Sequence, residues 1–280
     1  MPSLPCIDIS IRKGAGTLFA CLLIGALAAC TSTTKPGAVD VDRRQLLIVP
    51  SETIEQMAAI SFREQNDKAR AAGKLITEGT DFERLRRIAA RLQARAPVFR
   101  NDAARWNWEI ALIDAPTLNA SCAPGGKITV YTGLIRQLAL SDDEIAMVVG
   151  HEVAHAVREH GRERVSQALA QNVIASLALG AVQTGETQRK LAAQVADVLY
   201  NLPNSRKNEI EADRIGLEMA ARAGFNPQAA VSVWQKMSQA GGAGGPPEFL
   251  STHPANASRI EDLQRLIPTV QPLYEAAPKS

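Results

Sequence analysis

The stretch Ser141-Asp142-Asp143-Glu144-Ile145-Ala146-Met147-Val148-Val149-Gly150-His151-Glu152-Val153-Ala154-His155 decides how this chain is read. Its first four residues form Ser-x-x-Glu, a capping box, with acids where a helix N-terminus favours negative charge. Ile145, Val148 and Val149 follow at helical spacing, so a helix is expected to open at Ser141 and run to about His160, with Gly161 as its stop. His151 and His155 are then i and i+4 and leave one face about a turn apart. Two imidazoles so placed can hold one Zn²⁺ at about 2.0–2.1 Å. Glu152 can reach a water at that metal without being a ligand, and can take its proton.

A third ligand is available further on. Asn208 to Asp213 reads NEIEAD and opens another helix. Glu209 and Asp213 share a face, so Glu209 can complete a His₂Glu site with the fourth position left for water. Asp213 can then bond the second nitrogen of a ligating histidine and fix its orientation. Glu211 is the competing ligand, although it points off that face. One Zn²⁺ per chain is expected.

Composition sets the frame around this site. The chain has 280 residues, 31 Lys+Arg against 29 Asp+Glu, and a formal charge of +2. With 46% hydrophobic and 21% charged residues it is globular rather than disordered or collagen-like. The near-zero charge argues against a nucleic-acid partner. Aromatic residues make up 4%, so Ala, Leu, Val and Ile must build most of the core.

The elements follow from periodicity and turn residues. Helices are expected over Thr53–Ala72, Asp81–Ala96 (with Phe82, Leu85, Ile88, Ala89 and Leu92 on one face), Arg162–Val182 and Arg206–Ala223, the last stopped by Gly224. Asn226-Pro227 reads as an N-cap and N1 proline, and a final helix carries Ile260, Leu263, Leu266 and Ile267. Trp106–Ile113 and Lys127–Thr132 suit strands, joined by turn chemistry in Asn119–Gly126. This is α+β, mostly helical, with a small sheet beside the histidine helix. The apolar run Val173–Val182 is too short to span a bilayer and reads as a buried helix, with a membrane-resting surface as the alternative.

The N-terminus reads as an address. Arg12 and Lys13 precede the apolar run Ala15–Ala29. Leu27-Ala28-Ala29-Cys30 resembles a bacterial lipobox, in which Cys30 is lipidated. Residues 1–29 are then a lipoprotein signal, 30–50 the lipidated Cys30 and a flexible tether, and 51–280 a zinc metallopeptidase domain. Thr31 after Cys30 favours the periplasmic side of the outer membrane over the inner membrane. Loss of Cys6 and Cys21 with the signal leaves Cys122 as a small buried thiol, with no internal disulfide.

HEVAHAVREH, and NEIEAD about fifty residues later, resemble the HtpX-like family of membrane-associated zinc metallopeptidases (peptidase family forty-eight). The Oma-type and outer-membrane lipoprotein branches are the most similar in pattern. NASCAPGG followed by ITVYTGL, and Ser251-Thr252-His253-Pro254 followed by Arg259-Ile260, resemble further family elements, so the resemblance covers roughly residues 80–267 with no tetratricopeptide-like extension. It implies a gluzincin-type zincin and an endopeptidase in which Glu152 is the base and His151, His155 and Glu209 hold zinc. It also implies an edge strand near Lys127–Thr132 that pairs with extended substrate. The substrates implied are unfolded or misassembled envelope proteins, met by an enzyme held to its membrane through the N-terminal lipid. The alternative is a non-proteolytic zinc-binding chaperone; a membrane-remodelling module built on Val173–Val182 is a weaker one. His160, nine residues after His151, faces about the opposite way on a continuing helix and reads as a structural residue or one that supports a ligand from behind, not as a ligand itself. His253 is either a contact at a loop–helix junction or a gating or oxyanion residue at the metal's open position.

Overall fold

The computed structural model describes residues 30–178, 197, 203–240, 247–254 and 257–278, with the backbone alone for 30 and 172–178. The signal expected over 1–29, residues 179–182 of the run Val173–Val182 and all but Pro247 of Gly241–Pro247 lie outside the described residues.

Six short strands and ten α-helices are described. The strands are β1 (Cys30–Thr31), β2 (Gln45–Leu46), β3 (Leu75–Ile76), β4 (Glu109–Ile113), β5 (Ala120–Ala123) and β6 (Lys127–Tyr131). The first five helices are α1 (Ser51–Ala71), α2 (Thr80–Gln93), α3 (Ala96–Phe99), α4 (Thr132–Gln137) and α5 (Asp142–Val157). The rest are α6 (His160–Ala178), α7 (Arg206–Arg222), α8 (Ala229–Gln239), α9 (Glu248–Thr252) and α10 (Ala257–Ala276). The α+β class and the zincin-like arrangement expected from the sequence are what this architecture shows. Among the described residues no helix is long and apolar enough to cross a membrane.

The main sheet has the order β3-β4-β6-β5. β4 and β6 run parallel, while β3 and β5 are antiparallel to their neighbours. Two expectations are corrected. Asn119–Gly126 is not all turn: Ala120–Ala123 is a strand, and Pro124-Gly125-Gly126 turns it into β6, with both glycines at positive φ. β6 is consequently interior, and the edge strand is β5. The alternation of β6 explains its position. Ile128 and Val130 turn to the main core, and Thr129 and Tyr131 meet Gln65 on α1.

Below the sheet, α5 packs on β5, on α2 and along α7. Its start is as the sequence predicts: Ser141 Oγ accepts from Glu144 N–H, and the Glu144 carboxylate accepts from Ser141 N–H. The contact between α5 and α7 is backbone to backbone. A Cβ on Gly216 would come within 2.8 Å of His151 N, so a side chain there would push the two helices apart. That approach lets residues on the first two turns of α7 reach the histidines of α5.

Residues 30–50 do not behave as the expected tether. Residues 32–49 form a strap across α5, α6 and α7, with Val39 and Val41 buried and the Ala38 and Val39 N–H groups donating to the buried Glu218 carboxylate. The polar residues of this stretch suggest solvation, but Thr34 is buried and accepts from Arg158, more than a hundred residues away.

Candidate metal centre

α5, α7 and α9 converge on one buried point. The ligating atoms of His151, His155, Glu209 and His253 all lie within 4.8 Å of one another. His151 and His155 Nε2 are 3.1 Å apart. Glu209 stands 3.4 Å from His151 Nε2 and 3.3 Å from His155 Nε2. His253, the residue that ends α9, places Nδ1 3.0 Å from Glu209 Oε1 and Nε2 3.4 Å from Glu152 Oε1. The site residues expected from HExxH and NEIEAD are thus together, and His253 joins them.

The back of each metal-facing group is held. His151 Nδ1 lies 3.0 Å from Asp213 Oδ1. Arg259 on α10 donates to both Asp213 oxygens at 2.6 and 2.7 Å, and its Nη1 is 2.8 Å from Glu209 Oε2. Its guanidinium lies over the Trp234 ring at 4.1 Å. Sequence reasoning placed Arg259 in a motif without a role. It clamps Asp213 and Glu209 with one planar fork.

His155 is backed differently from the expected pattern. α5 stops at Val157, and Glu159 takes φ +56°, which breaks the helix and begins α6 at His160. His160 therefore does not point away: its Nδ1 is 2.8 Å from His155 Nδ1 and its Nε2 is 3.1 Å from Glu211 Oε2. The assumption of one continuous helix caused that error. Glu159 offers no glycine signal for the break.

These contacts test the fit of a metal. Glu211 fixes a proton on His160 Nε2, so His160 Nδ1 is an acceptor and His155 Nδ1 carries the hydrogen. The His155 Nε2 lone pair then faces the cluster. Charge points the same way. Glu152, Glu209 and Asp213 are buried, and Arg259 is the guanidinium in contact with the latter two. Burial disfavours charge on His151, but contacts with Asp213 and Glu209 outweigh it and raise its pKa to about 9. Desolvation also opposes the Glu209 carboxylate, and His253, His151 and His155 more than offset it and lower its pKa. The carboxylates thus demand a positive partner at this point, and a divalent cation among two imidazoles and a carboxylate supplies one.

Glu152 stands beside this cluster. Desolvation raises its pKa above the ordinary carboxylate value, against the charges of His253 and His151 and a bond from the Cys122 backbone. A cleft lined by Cys122, Ala123, Glu152, His155, Asn204 and His253 opens onto it, with the β5 edge as one wall. Cys122 itself is a buried thiol, as expected.

A helix carrying two clustered histidines with a buried glutamate beside them, a carboxylate from a second helix, and a sheet edge along the cleft are the arrangement of a zincin-like metalloprotease. The chain belongs to peptidase family M48, which it matches over residues 80–267, and the metal of that family is zinc. It is similar to the bovine mitochondrial metalloendopeptidase OMA1 (35% identity, 60% of this chain and 34% of the relative). It is also similar to the mitochondrial metalloendopeptidase OMA1 of Arabidopsis thaliana (42%; 55% and 30%). The beta-barrel assembly-enhancing protease of Yersinia pestis is 27% identical over 72% of this chain and 42% of that protein. The chain thus spans about a third to two fifths of the length of these relatives.

One expectation is overturned here. The periplasmic, outer-membrane address inferred from the leader and Cys30 conflicts with the relatives from cattle, plant, yeasts, human and zebrafish, all named mitochondrial. A basic start followed by a short apolar run reports affinity for a membrane, and does not report which membrane.

Proposed function

We propose that this chain is an endopeptidase whose Glu152 activates the water that attacks a peptide carbonyl, with zinc held by His151, His155 and Glu209. Zinc bound there supplies a Lewis acid for the carbonyl and lowers the pKa of the attacking water. Glu152 takes the proton and passes it to the leaving amine. Its buried setting suits that task, because a carboxylate with a raised pKa holds a proton better between the two steps. Asp213 and Arg259 keep His151 and Glu209 aimed.

The substrate we infer is an extended, unfolded or misassembled polypeptide. The free edge of β5 borders the cleft, and an extended segment can add to it as a further strand. Such pairing reads backbone more than side chains. His253 occupies the side of the cluster next to Glu152, so we assign it to the fourth position in the resting state, to be displaced when substrate arrives.

The observation that carries the reading is the four-residue cluster with Glu152 at its side. The test is cleavage of an unfolded polypeptide by the full chain: zinc-loaded, stripped, and as Glu152→Gln. The expected result is cleavage that requires zinc and falls about 10³- to 10⁴-fold in the variant. Zinc-dependent capture of the polypeptide with no cleavage, in wild type and in His253→Ala alike, would replace the reading with the chaperone one.

A further inference from the structure

We propose that Glu211 and His160 form a positioning relay for the metal-facing His155, and that the N-terminal strap, through Arg43, fixes the outer end of that relay. The inference rests on the metal site proposed above and adds three residues to it, one of them some 110 positions earlier in the chain.

The relay is continuous and buried. His155 Nδ1 to His160 Nδ1 is 2.8 Å, and His160 Nε2 to Glu211 Oε2 is 3.1 Å. His160 is fully buried and Glu211 nearly so. Glu211 cannot swing freely, because Arg158 Nε donates to its Oε2 at 2.9 Å and Arg43 Nε to its Oε1 at 2.5 Å. Arg43 is itself anchored by two bonds to Glu163, at 2.6 and 2.9 Å. The inner end is set by backbone. Glu159, in the left-handed region, is held by Arg100, Arg162 and Ser51 at 3.1, 3.0 and 2.7 Å. Three elements therefore cooperate to return His160 to His155, at the cost of a left-handed non-glycine residue.

The chemistry of the arrangement is specific. A carboxylate against Nε2 of His160 selects one tautomer, which selects the tautomer of His155 that presents Nε2 to a metal. His151 obtains the same result from Asp213 directly. His155 obtains it at one remove, and the carboxylate that does so is tied to the strap.

A strap that merely clamped three helices would predict lower stability on mutation and nothing at the metal. Positioning predicts effects on metal binding itself. The full chain would be compared with His160→Leu, His160→Gln, Glu211→Gln and Arg43→Gln. Zinc affinity would come from chelator competition, ligand geometry from the visible spectrum of the cobalt-loaded protein, and fold stability from denaturant unfolding of the stripped chain. The expected result is a 10- to 100-fold loss of zinc affinity and a shifted cobalt spectrum in His160→Leu. His160→Gln, whose side-chain oxygen can accept from His155 Nδ1, should recover part of both. Arg43→Gln and Glu211→Gln should move both readings in the same direction by less. Arg43 lies at the partly exposed end, so its variant decides the matter if His160→Leu does not fold. Variants that unfold more easily while binding zinc and cobalt as the wild type does would overturn the inference and leave the metal site standing. A wild-type chain that takes up no zinc would overturn both.

Discussion

Two buried polar clusters lie side by side at the C-terminal end of α5, and both draw on the first turns of α7. Glu209 enters one and Glu211, two residues later, the other. Around Glu211 and Glu163 the chain supplies its own cations, Arg43 and Arg158, in close bidentate or near-bidentate contact. Around Glu209, Asp213 and Glu152 it supplies Arg259 and then imidazoles. A buried carboxylate requires a positive partner. The first cluster is closed by guanidinium, and the second leaves the place for a divalent ion. The contrast shows why one acidic helix start can yield both a structural lock and a reactive site.

Breaking the second cluster should have the largest effect. Glu209→Gln removes the charge of the carboxylate proposed to hold zinc and leaves Arg259 with one carboxylate. We expect proteolysis to fall by at least about 10³-fold and zinc to be lost in dialysis, read by metal content per chain. Breaking the first should act on stability instead. Arg158 is fully buried, and Arg158→Met removes one of the two guanidinium partners of Glu211 together with the donor to the strap's hydroxyls on Ser32 and Thr34. The expected cost is about 3–5 kcal/mol in denaturant unfolding of the stripped chain. If Arg158→Met cost less than about 1 kcal/mol, the first cluster would not be the lock described here.

How much of this was legible in the sequence depended on whether the signal was local. The capping box, the i and i+4 histidines, and the Glu209/Asp213 face are spacings within one helix, and the helix enforces them. The β5 strand was missed because Ala-Ser-Cys-Ala has neither β-branched residues nor alternation, and its pairing with β6 comes from the turn that follows. The direction in which His160 points was not legible, because it depends on a left-handed Glu159 that is stabilised by Arg100, a residue of another element. The strap was read as a tether because its anchors, Arg43 to Glu163 and Glu211, are ion pairs across the fold. Periodicity has no access to such contacts.

Acid should distinguish the clusters more gently. Desolvation opposes the Glu163 carboxylate, but bonds from Arg43 and Gln45 more than offset this and lower its pKa below the ordinary 4.5. A lowered folded-state pKa gives stability that is present above the unfolded value and is lost as pH falls toward the folded one. The stripped chain should therefore lose stability as pH drops below about 4.5. Glu163→Gln should be less stable than wild type at pH 7 and show a shallower acid slope. Equal slopes in urea titrations at several pH values would take Glu163 out of the lock.

The smallest expected effect is the most informative about the metal cluster. His253 contacts Glu209 and faces Glu152 from the cleft side, stacked on Phe249 at 4.5 Å between ring centroids. It is anchored by packing at the end of a five-residue helix, whereas His151 and His155 are fixed by a long one. A group so held can leave while the other three remain. If it competes with substrate for the fourth position, His253→Ala should raise kcat/KM on an unfolded polypeptide severalfold, on the order of five, which corresponds to about 1 kcal/mol. Zinc content should stay at one per chain, because His151, His155 and Glu209 still hold it. A fall in kcat at unchanged KM would instead place His253 among the groups that stabilise the transition state, and the resting cluster would then be a poised site rather than a blocked one.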